Sequence, residues 1–315
     1  MGRSADAMVI AFLFPGQGSQ AVGMGRSFYD ASASARAVFE EANDALGFDL
    51  TKLAFEGPEA DLALTANTQP AVLTVSVAAA RVCVERGLAP AMGAGHSLGE
   101  YSALVVAGAL RFADAVRVVR KRGEFMQQAV PVGTGAMAAI MGLELPAVEA
   151  ICKDAARGEV VEIANINSSG QVVVAGHTSA VERTVALAGK KSVMLPVSAP
   201  FHSSLMAPAA ERLGAELAAV PVSDPAFAVV RNVDGGVTRT AADVKPFLLR
   251  QVASPVLWTA CVQRLAAEGA TGFIEVGPGR VLTGLLRRIL DGARGHSVED
   301  TAGLDKTLAS LGASV

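Results

Sequence analysis

Aromatic side chains are scarce in this chain: 12 Phe, 2 Tyr and 1 Trp among 315 residues. Ala, Val and Leu must therefore supply most of the apolar bulk. With 51% of residues hydrophobic, that bulk is ample for a buried core and excludes a disordered protein. Cysteine is scarcer still. Cys83, Cys152 and Cys261 stand far apart with no C-x-x-C pair, which excludes a disulfide framework and a cysteine-based zinc site and fits a reducing compartment. A charge excess is missing too: 27 basic against 30 acidic residues leave −3, so bulk attraction to nucleic acid or an anionic membrane is not expected. Mean hydropathy of +0.40 raises a membrane question. The longest apolar stretches, 71–80 and 102–110, nevertheless fall short of the roughly 18 residues a span needs. The first apolar run goes straight into Pro15-Gly16 with no small-residue cleavage site, unlike a signal peptide. Gly2 fails the myristoylation pattern because position six is Asp6. A cytoplasmic, soluble protein is expected.

Glycine, by contrast, is plentiful at 32 residues, which points to tight turns and close backbone approaches. A length of 315 fits about two structural units, at roughly 150 residues per domain. Residues 8–14 read as a buried strand ended by Pro and Gly. A helix is predicted over 68–86, a short strand over 91–96, a helix over 98–107 and an amphipathic helix over 112–128. The pattern then changes to strand 136–141, helix 145–157, strands 160–166 and 171–175, helix 179–188 and strand 192–197. This β-α-β-β-α-β order is that of a ferredoxin-like unit. The expectation is a small α+β domain over 133–203, inserted into a larger α/β body of residues 8–132 and 204–315. In the body's second part a helix over 204–219, a strand over 227–233, a helix over 260–268 and a strand over 272–276 are predicted.

Gly95-His96-Ser97-Leu98-Gly99 fits G-x-S-x-G between a strand and a helix, the context a nucleophile elbow needs. There the residue after the serine can donate its backbone N–H to a developing oxyanion. A Gly-rich turn without chemistry is the plainer alternative. A dinucleotide fingerprint fails, since its third glycine would fall on Leu98. A serine nucleophile needs a base, and four histidines are available. His96 adjoins the serine and should point away from it, and His177 falls in a turn of the small unit. His202 follows a strand end at the junction of the two units, a natural place for a pocket. His296 lies late in a polar tail with no evident strand before it, which favours His202. Arg122 flanks the apolar stripe Phe112, Ala115, Val116, Val119, Gly123 and Met126 of its helix. A guanidinium there needs a partner, either an internal carboxylate or a substrate carboxylate held in a bidentate clamp.

Six stretches in order, Phe14-Pro-Gly-Gln-Gly-Ser-Gln20, Thr68-Gln-Pro-Ala71, Gly95-His-Ser-Leu-Gly-Glu-Tyr101, Arg122-Gly-Glu-Phe-Met-Gln127, Asn165-Ile-Asn167 with Gly170-Gln171, and Pro200-Phe-His202, resemble the malonyl-CoA:acyl carrier protein transacylase family. The likeness runs from about Met8 to Gly284. It implies an α/β-hydrolase-like body with an inserted ferredoxin-like (βαββαβ) small domain, in accord with the order read from periodicity. It also implies Ser97 as nucleophile and His202 as base, with Gln17 and the Leu98 N–H as oxyanion hole and Arg122 as carboxylate clamp. By the same resemblance Asn165 and Phe201 would line the substrate site. Gln251 would orient His202 through its main-chain carbonyl, in place of a triad acid.

The implied reaction moves a malonyl group from malonyl-CoA to the phosphopantetheine thiol of an acyl carrier protein, through a malonyl-serine. No metal and no cofactor beyond that substrate is expected, and the chain is expected to be a monomer. Ser169 stands where the family often has Pro. Phe201 stands where many free-standing fatty-acid enzymes carry Ser, and resembles malonyl-selecting polyketide acyltransferases, so either pathway stays open. Residues 1–7 precede the usual family start. A basic patch for an acidic carrier is expected among Arg117, Arg120, Lys121, Arg287 and Arg288. A polyketide acyltransferase using another extender acyl group, a serine thioester hydrolase, and a catalytically silent carrier-binding protein are the alternatives.

Overall fold

A computed structural model describes residues 8–197 and 199–312; the first seven residues lie outside it. The chain forms a mixed α/β fold with two sheets. The strands are β1 Ile10–Phe14, β2 Met92–Gly95, β3 Gly135–Met141, β4 Val161–Ser168, β5 Gln171–His177, β6 Ser192–Met194, β7 Ala228–Val230, β8 Val237–Thr238, β9 Gly272–Val276 and β10 Gly295–Val298. The larger sheet has the order β10-β9-β1-β2-β7-β8, parallel except for the β7–β8 pair. Its central strands β1, β2 and β9 are buried along their whole length, as a parallel sheet covered on both faces requires.

The smaller sheet, order β4-β5-β3-β6, is antiparallel. Its strands alternate faces with period two. Ala136, Ala138 and Ile140 face the helices Leu145–Ala156 and Thr178–Ala188, whereas Met137 and Ala139 join the main core. That second face brings β4 against the segment before helix Trp258–Ala267, where Ile166 N–H donates to the Val256 carbonyl at 2.9 Å.

Helix Thr65–Glu85 packs beside helix Phe112–Gln128 and is buried nearly all round, so it carries little amphipathic pattern. Periodicity marks no element between Phe14 and Thr68, yet short helices occupy Arg26–Ala31, Ala33–Leu46, Leu50–Glu56 and Glu59–Leu62. Three of these have only four to seven residues, too short to show a period, whereas Ala33–Leu46 has 14 and escapes the sequence reading; Gly47 ends that helix and Gly57 ends Leu50–Glu56, both at positive φ. The strand predicted over 227–233 pairs only through Val230. Beyond it the chain turns, with Arg231 N–H on the Gly236 carbonyl at 2.8 Å, and returns as β8. The final strand is likewise cut to Ser192–Met194, and the helix predicted from 204 begins with one 3-10 turn before Ala207–Ala218. Helices Ala241–Val252, Val281–Ile289 and Thr301–Leu311 are additional. His296, read as part of a strandless tail, sits in β10 beside β9.

Candidate active site

The turn from β2 into helix Gly99–Val106 allows no side chain at its two flanking glycines. A Cβ on Gly95 would lie 1.8 Å from the Gly99 carbonyl carbon, and one on Gly99 would lie 2.1 Å from the Phe14 oxygen. This close approach drives Ser97 into the left-handed region at φ 51, an uncommon conformation for a residue with a Cβ. Three bonds hold it there. Asn232 Oδ1 accepts the Ser97 N–H at 2.7 Å, Asn232 Nδ2 donates to the Gly95 carbonyl at 2.7 Å, and Gln251 Nε2 donates to the Ser97 carbonyl at 3.0 Å. Leu98 precedes the first turn of the helix, where backbone N–H groups have no intrahelical acceptor.

His202 also adopts positive φ, 61, in the turn after Pro200-Phe201. Its Nε2 lies 2.7 Å from Ser97 Oγ, and its Nδ1 lies 3.0 Å from the Gln251 carbonyl oxygen. A carbonyl only accepts, so Nδ1 carries the proton and Nε2 is left to accept from the serine hydroxyl. The Gln251 carbonyl belongs to the last turn of helix Ala241–Val252, beyond the reach of a regular helical donor, and receives the cap N–H of Ala253 beside His202 Nδ1. Burial, and then the Arg122 charge, push the His202 pKa down to about 3, so the imidazole rests neutral.

Arg122 is 1% exposed. Nη1 donates to Gln69 Oε1 at 2.8 Å, and Nη2 donates to Gln251 Oε1 at 2.9 Å and to Ser97 Oγ at 3.0 Å. Among the described residues it forms no ion pair with a carboxylate. The internal-salt-bridge alternative therefore does not hold, and neutral amides orient the guanidinium. Burial lowers its pKa, against the raising effects of Tyr101 and Glu100.

A cavity of about 130 Å³ opens onto Ser97, His202 and Arg122, with Phe201, Asn165 and Gln17 in its wall. Asn165 enters it from an irregularity in β4 between Ile163 and Asn165, where the register shifts. The Gln17 side chain donates its Nε2–H to Thr65 Oγ1 at 3.1 Å. An adjoining cavity of about 230 Å³ shares Gln17, His96 and Asn165 and continues past Asn167 to Val281 and Leu285. His96 points away from Ser97, its Nε2 at 2.9 Å from Asn167 Oδ1.

Seven of the eight residues singled out from the sequence line one cavity, namely Ser97, Leu98, His202, Arg122, Asn165, Phe201 and Gln17, and the eighth, Gln251, lies buried behind it, bonded to His202 and Arg122. His177 caps the Val160 N–H elsewhere, at 2.9 Å, and His296 lines a separate surface hollow with Asp300. Three residues escaped the sequence reading as site residues. Gln69 and Glu100 sit inside stretches already singled out, whereas Asn232 lies in an ordinary-looking turn. Glu100 is 2% exposed, and burial pushes its pKa up to about 7 against bonds from Asn232 and Gln251 and the Arg122 charge. Of the expected basic patch, Arg117 pairs with Asp114, and Arg120 and Lys121 pair with Glu124. Arg287 and Arg288 stay exposed on helix Val281–Ile289. Among the described residues no cluster of three His, Cys, Asp or Glu could hold a metal ion, and no helix is long and apolar enough to cross a membrane.

The family model described as the acyl transferase domain matches residues 11–310, a span that includes the Ser97 turn and its bond to His202, so the chain is an acyl transferase. Within that class the chain belongs to the malonyl CoA-acyl carrier protein transacylase family. It is 51% identical over 286 residues to the malonyl CoA-acyl carrier protein transacylase of Escherichia coli K12, covering 89% of this chain and 93% of the relative. The Bacillus subtilis 168 protein of the same name is 46% identical over 307 residues, covering 96% and 97%. Among solved structures, the acyl carrier protein S-malonyltransferase of Vibrio cholerae superposes with TM-score 0.92 at 49% identity, over 95% of this chain and 99% of that one. A malonyl-transacylase solved with a type II polyketide acyl-carrier protein gives 0.93 at 45%, over 96% and 99%.

Proposed function

We propose that this protein transfers a malonyl group from malonyl-CoA to the phosphopantetheine thiol of an acyl carrier protein, by two displacements at Ser97. The observation that carries this reading is the Arg122–Ser97 contact. A guanidinium 3.0 Å from the nucleophile, held by neutral amides, suits an acyl group whose carboxylate lies two carbons from the reacting carbonyl. A longer diacid would place its charge beyond that reach, and an acetyl group would leave the guanidinium without its ion.

In the first half-reaction His202 Nε2 takes the Ser97 proton as Oγ attacks the thioester carbonyl. The oxyanion lies against the main-chain N–H groups of Leu98 and Gln17. The C–S bond then breaks, and the imidazolium returns its proton to the leaving CoA thiolate. In the second, the pantetheine thiol loses its proton to His202 and attacks the malonyl-serine ester, and Ser97 Oγ leaves with that proton. A general base contributes roughly 10²–10⁴ in rate, and an oxyanion donor about 10²–10³. The Gln251 carbonyl, at the negative end of its helix, stabilises the imidazolium formed in each half.

The thioester arm would run along the adjoining cavity toward Val281, which heads the helix bearing Arg287 and Arg288, the cationic surface we assign to the carrier. The order β4-β5-β3-β6 with both helices on one face supports reading 133–203 as a ferredoxin-like insert. The remainder, 8–132 and 204–315, then forms an α/β-hydrolase-like body. The test is a panel of malonyl-, 2-methylmalonyl- and acetyl-CoA with holo carrier protein. Malonyl-carrier as the dominant product is expected; free malonate in its place would make the protein a thioester hydrolase.

A further inference from the structure

The described residues give Arg122 no carboxylate at contact distance, yet a buried cation is costly without a compensating charge. The nearest buried carboxylate belongs to Glu100, in the first turn of the helix that follows Ser97, and it faces inward at 2% exposure. Glu100 Oε2 accepts two bonds at once, from Gln251 Nε2 at 2.7 Å and from the Asn232 main-chain N–H at 3.0 Å. Each donor residue continues to the site. Gln251 presents its Oε1 to Arg122 Nη2 at 2.9 Å, and Asn232 presents its Oδ1 to the Ser97 N–H at 2.7 Å.

The orientation of the Gln251 amide follows from this surrounding. Its nitrogen faces three acceptors, namely Glu100 Oε2, the Ser97 carbonyl and Asn232 Oδ1, while its oxygen faces only the guanidinium. Without the carboxylate, the strongest acceptor holding the nitrogen inward is gone, and the amide is held only by the weaker neutral acceptors, the Ser97 carbonyl and Asn232 Oδ1, and by the guanidinium itself. We propose that Glu100 is a positioning residue for acyl-group selection: through the Gln251 amide it aims the Arg122 guanidinium, while supplying its counter-charge from one amide away. A carboxylate touching Arg122 directly would occupy the position meant for the substrate's own. One amide between them holds the guanidinium in direction and leaves its charge open. This inference rests on the reading of Arg122 as the partner of a malonyl carboxylate.

The test, run at pH 8.5 where the Glu100 carboxyl is ionised, measures loading of Ser97 by malonyl-CoA and by acetyl-CoA, separately, by intact mass in the parent, Glu100→Met, Gln251→Met and the double variant. Glu100→Met is expected to lower the malonyl-over-acetyl ratio about tenfold, and the double variant to match Gln251→Met, because one residue acts through the other. A parental ratio in Glu100→Met, or losses that multiply in the double variant, overturns the proposal. Should Glu100→Met not fold, Glu100→Gln keeps an acceptor oxygen without the charge and is expected to lower the ratio about threefold, the weaker bond being neutral. A parental ratio there overturns the proposal equally. A parent that loads no malonyl at all overturns the functional reading and this inference with it, whereas a selective parent with an equally selective variant overturns this inference alone.

Discussion

The Arg122 guanidinium stands 3.0 Å from Ser97 Oγ, so the proposed acyl-group clamp touches the proposed nucleophile. Ser97 Oγ is thereby shared between a cation that donates to it and an imidazole nitrogen, 2.7 Å away, that accepts from it. In the proposed mechanism, selection and reaction share one cluster of side chains. Replacing Arg122 by Ala should lower malonyl loading by about 10²–10³, the scale of a lost buried charge pair. Acetyl loading should hold or rise. Steady-state rates with both CoA esters check this, and an equal fall for both would return Arg122 to a purely structural role.

His202 sets the pH dependence. Burial and the Arg122 charge hold its folded-state pKa near 3, well below the ordinary histidine value. The neutral form is the base, so acidification from pH 8 to 5.5 should not remove it. The rate of Ser97 acylation, followed by stopped-flow CoA release, is expected to show no tenfold-per-unit decline starting near pH 6.5. Such a decline would mean that the imidazole rests charged more readily than its surroundings allow.

Glu100 gives a stability prediction of opposite sense. Its folded pKa, about 7, lies above that of an unfolded chain, so the folded state binds the extra proton between those values. The parent's stability therefore carries a contribution that is full at low pH and lost as pH rises through about 7. Glu100→Gln removes the titration. Relative to the parent, its Tm should improve between pH 5 and pH 8, by calorimetry. A difference independent of pH would place the Glu100 titration outside that window.

Phe201 limits the width of the cavity. It is buried in the wall beside Ser97 and His202. Cutting it to Ala should raise 2-methylmalonyl loading relative to malonyl by about tenfold, the worth of roughly one methyl group in an apolar pocket. Competition between the two CoA esters checks it; an unchanged ratio would mean that the branch points elsewhere.

Gly95 tests the turn itself. A Cβ there meets backbone atoms of Gly99 at 1.8 Å, and backbone cannot rotate away as a side-chain tip can. Gly95→Ala should lose about 1–3 kcal/mol or more of stability, read by urea unfolding, and with it Ser97 reactivity. Parental stability would show that the strand and helix are free to separate.

Much of this site is legible in the chain because its chemistry sits on short contiguous stretches. Gly95–Gly99 carries a turn, a nucleophile and a helix start within five positions, and Arg122 betrays itself by flanking an apolar stripe. The small sheet is legible because its strands and helices follow one another as distinct periodic runs, although its last strand spans only Ser192–Met194. What holds the site is not legible in the same way. Glu100 and Asn232 lie 132 residues apart, and nothing in a run of residues marks two polar side chains as buried on each other. Gln17 is a related case, since the glycines beside it advertise a turn but not the bond its side chain makes to Thr65, 48 residues away. His296 misleads for a physical reason too: a half-exposed strand with Gly295 and Ser297 lacks the apolar alternation by which strands are recognised.

The most direct test of the account mixes the protein with malonyl-CoA in the absence of carrier protein and maps the covalent adduct by peptide mass spectrometry. A malonyl group on Ser97, absent in Ser97→Ala and discharged when holo carrier protein is added, is the predicted result. An adduct that persists in Ser97→Ala, or one on Ser97 that carrier protein cannot remove, would contradict it.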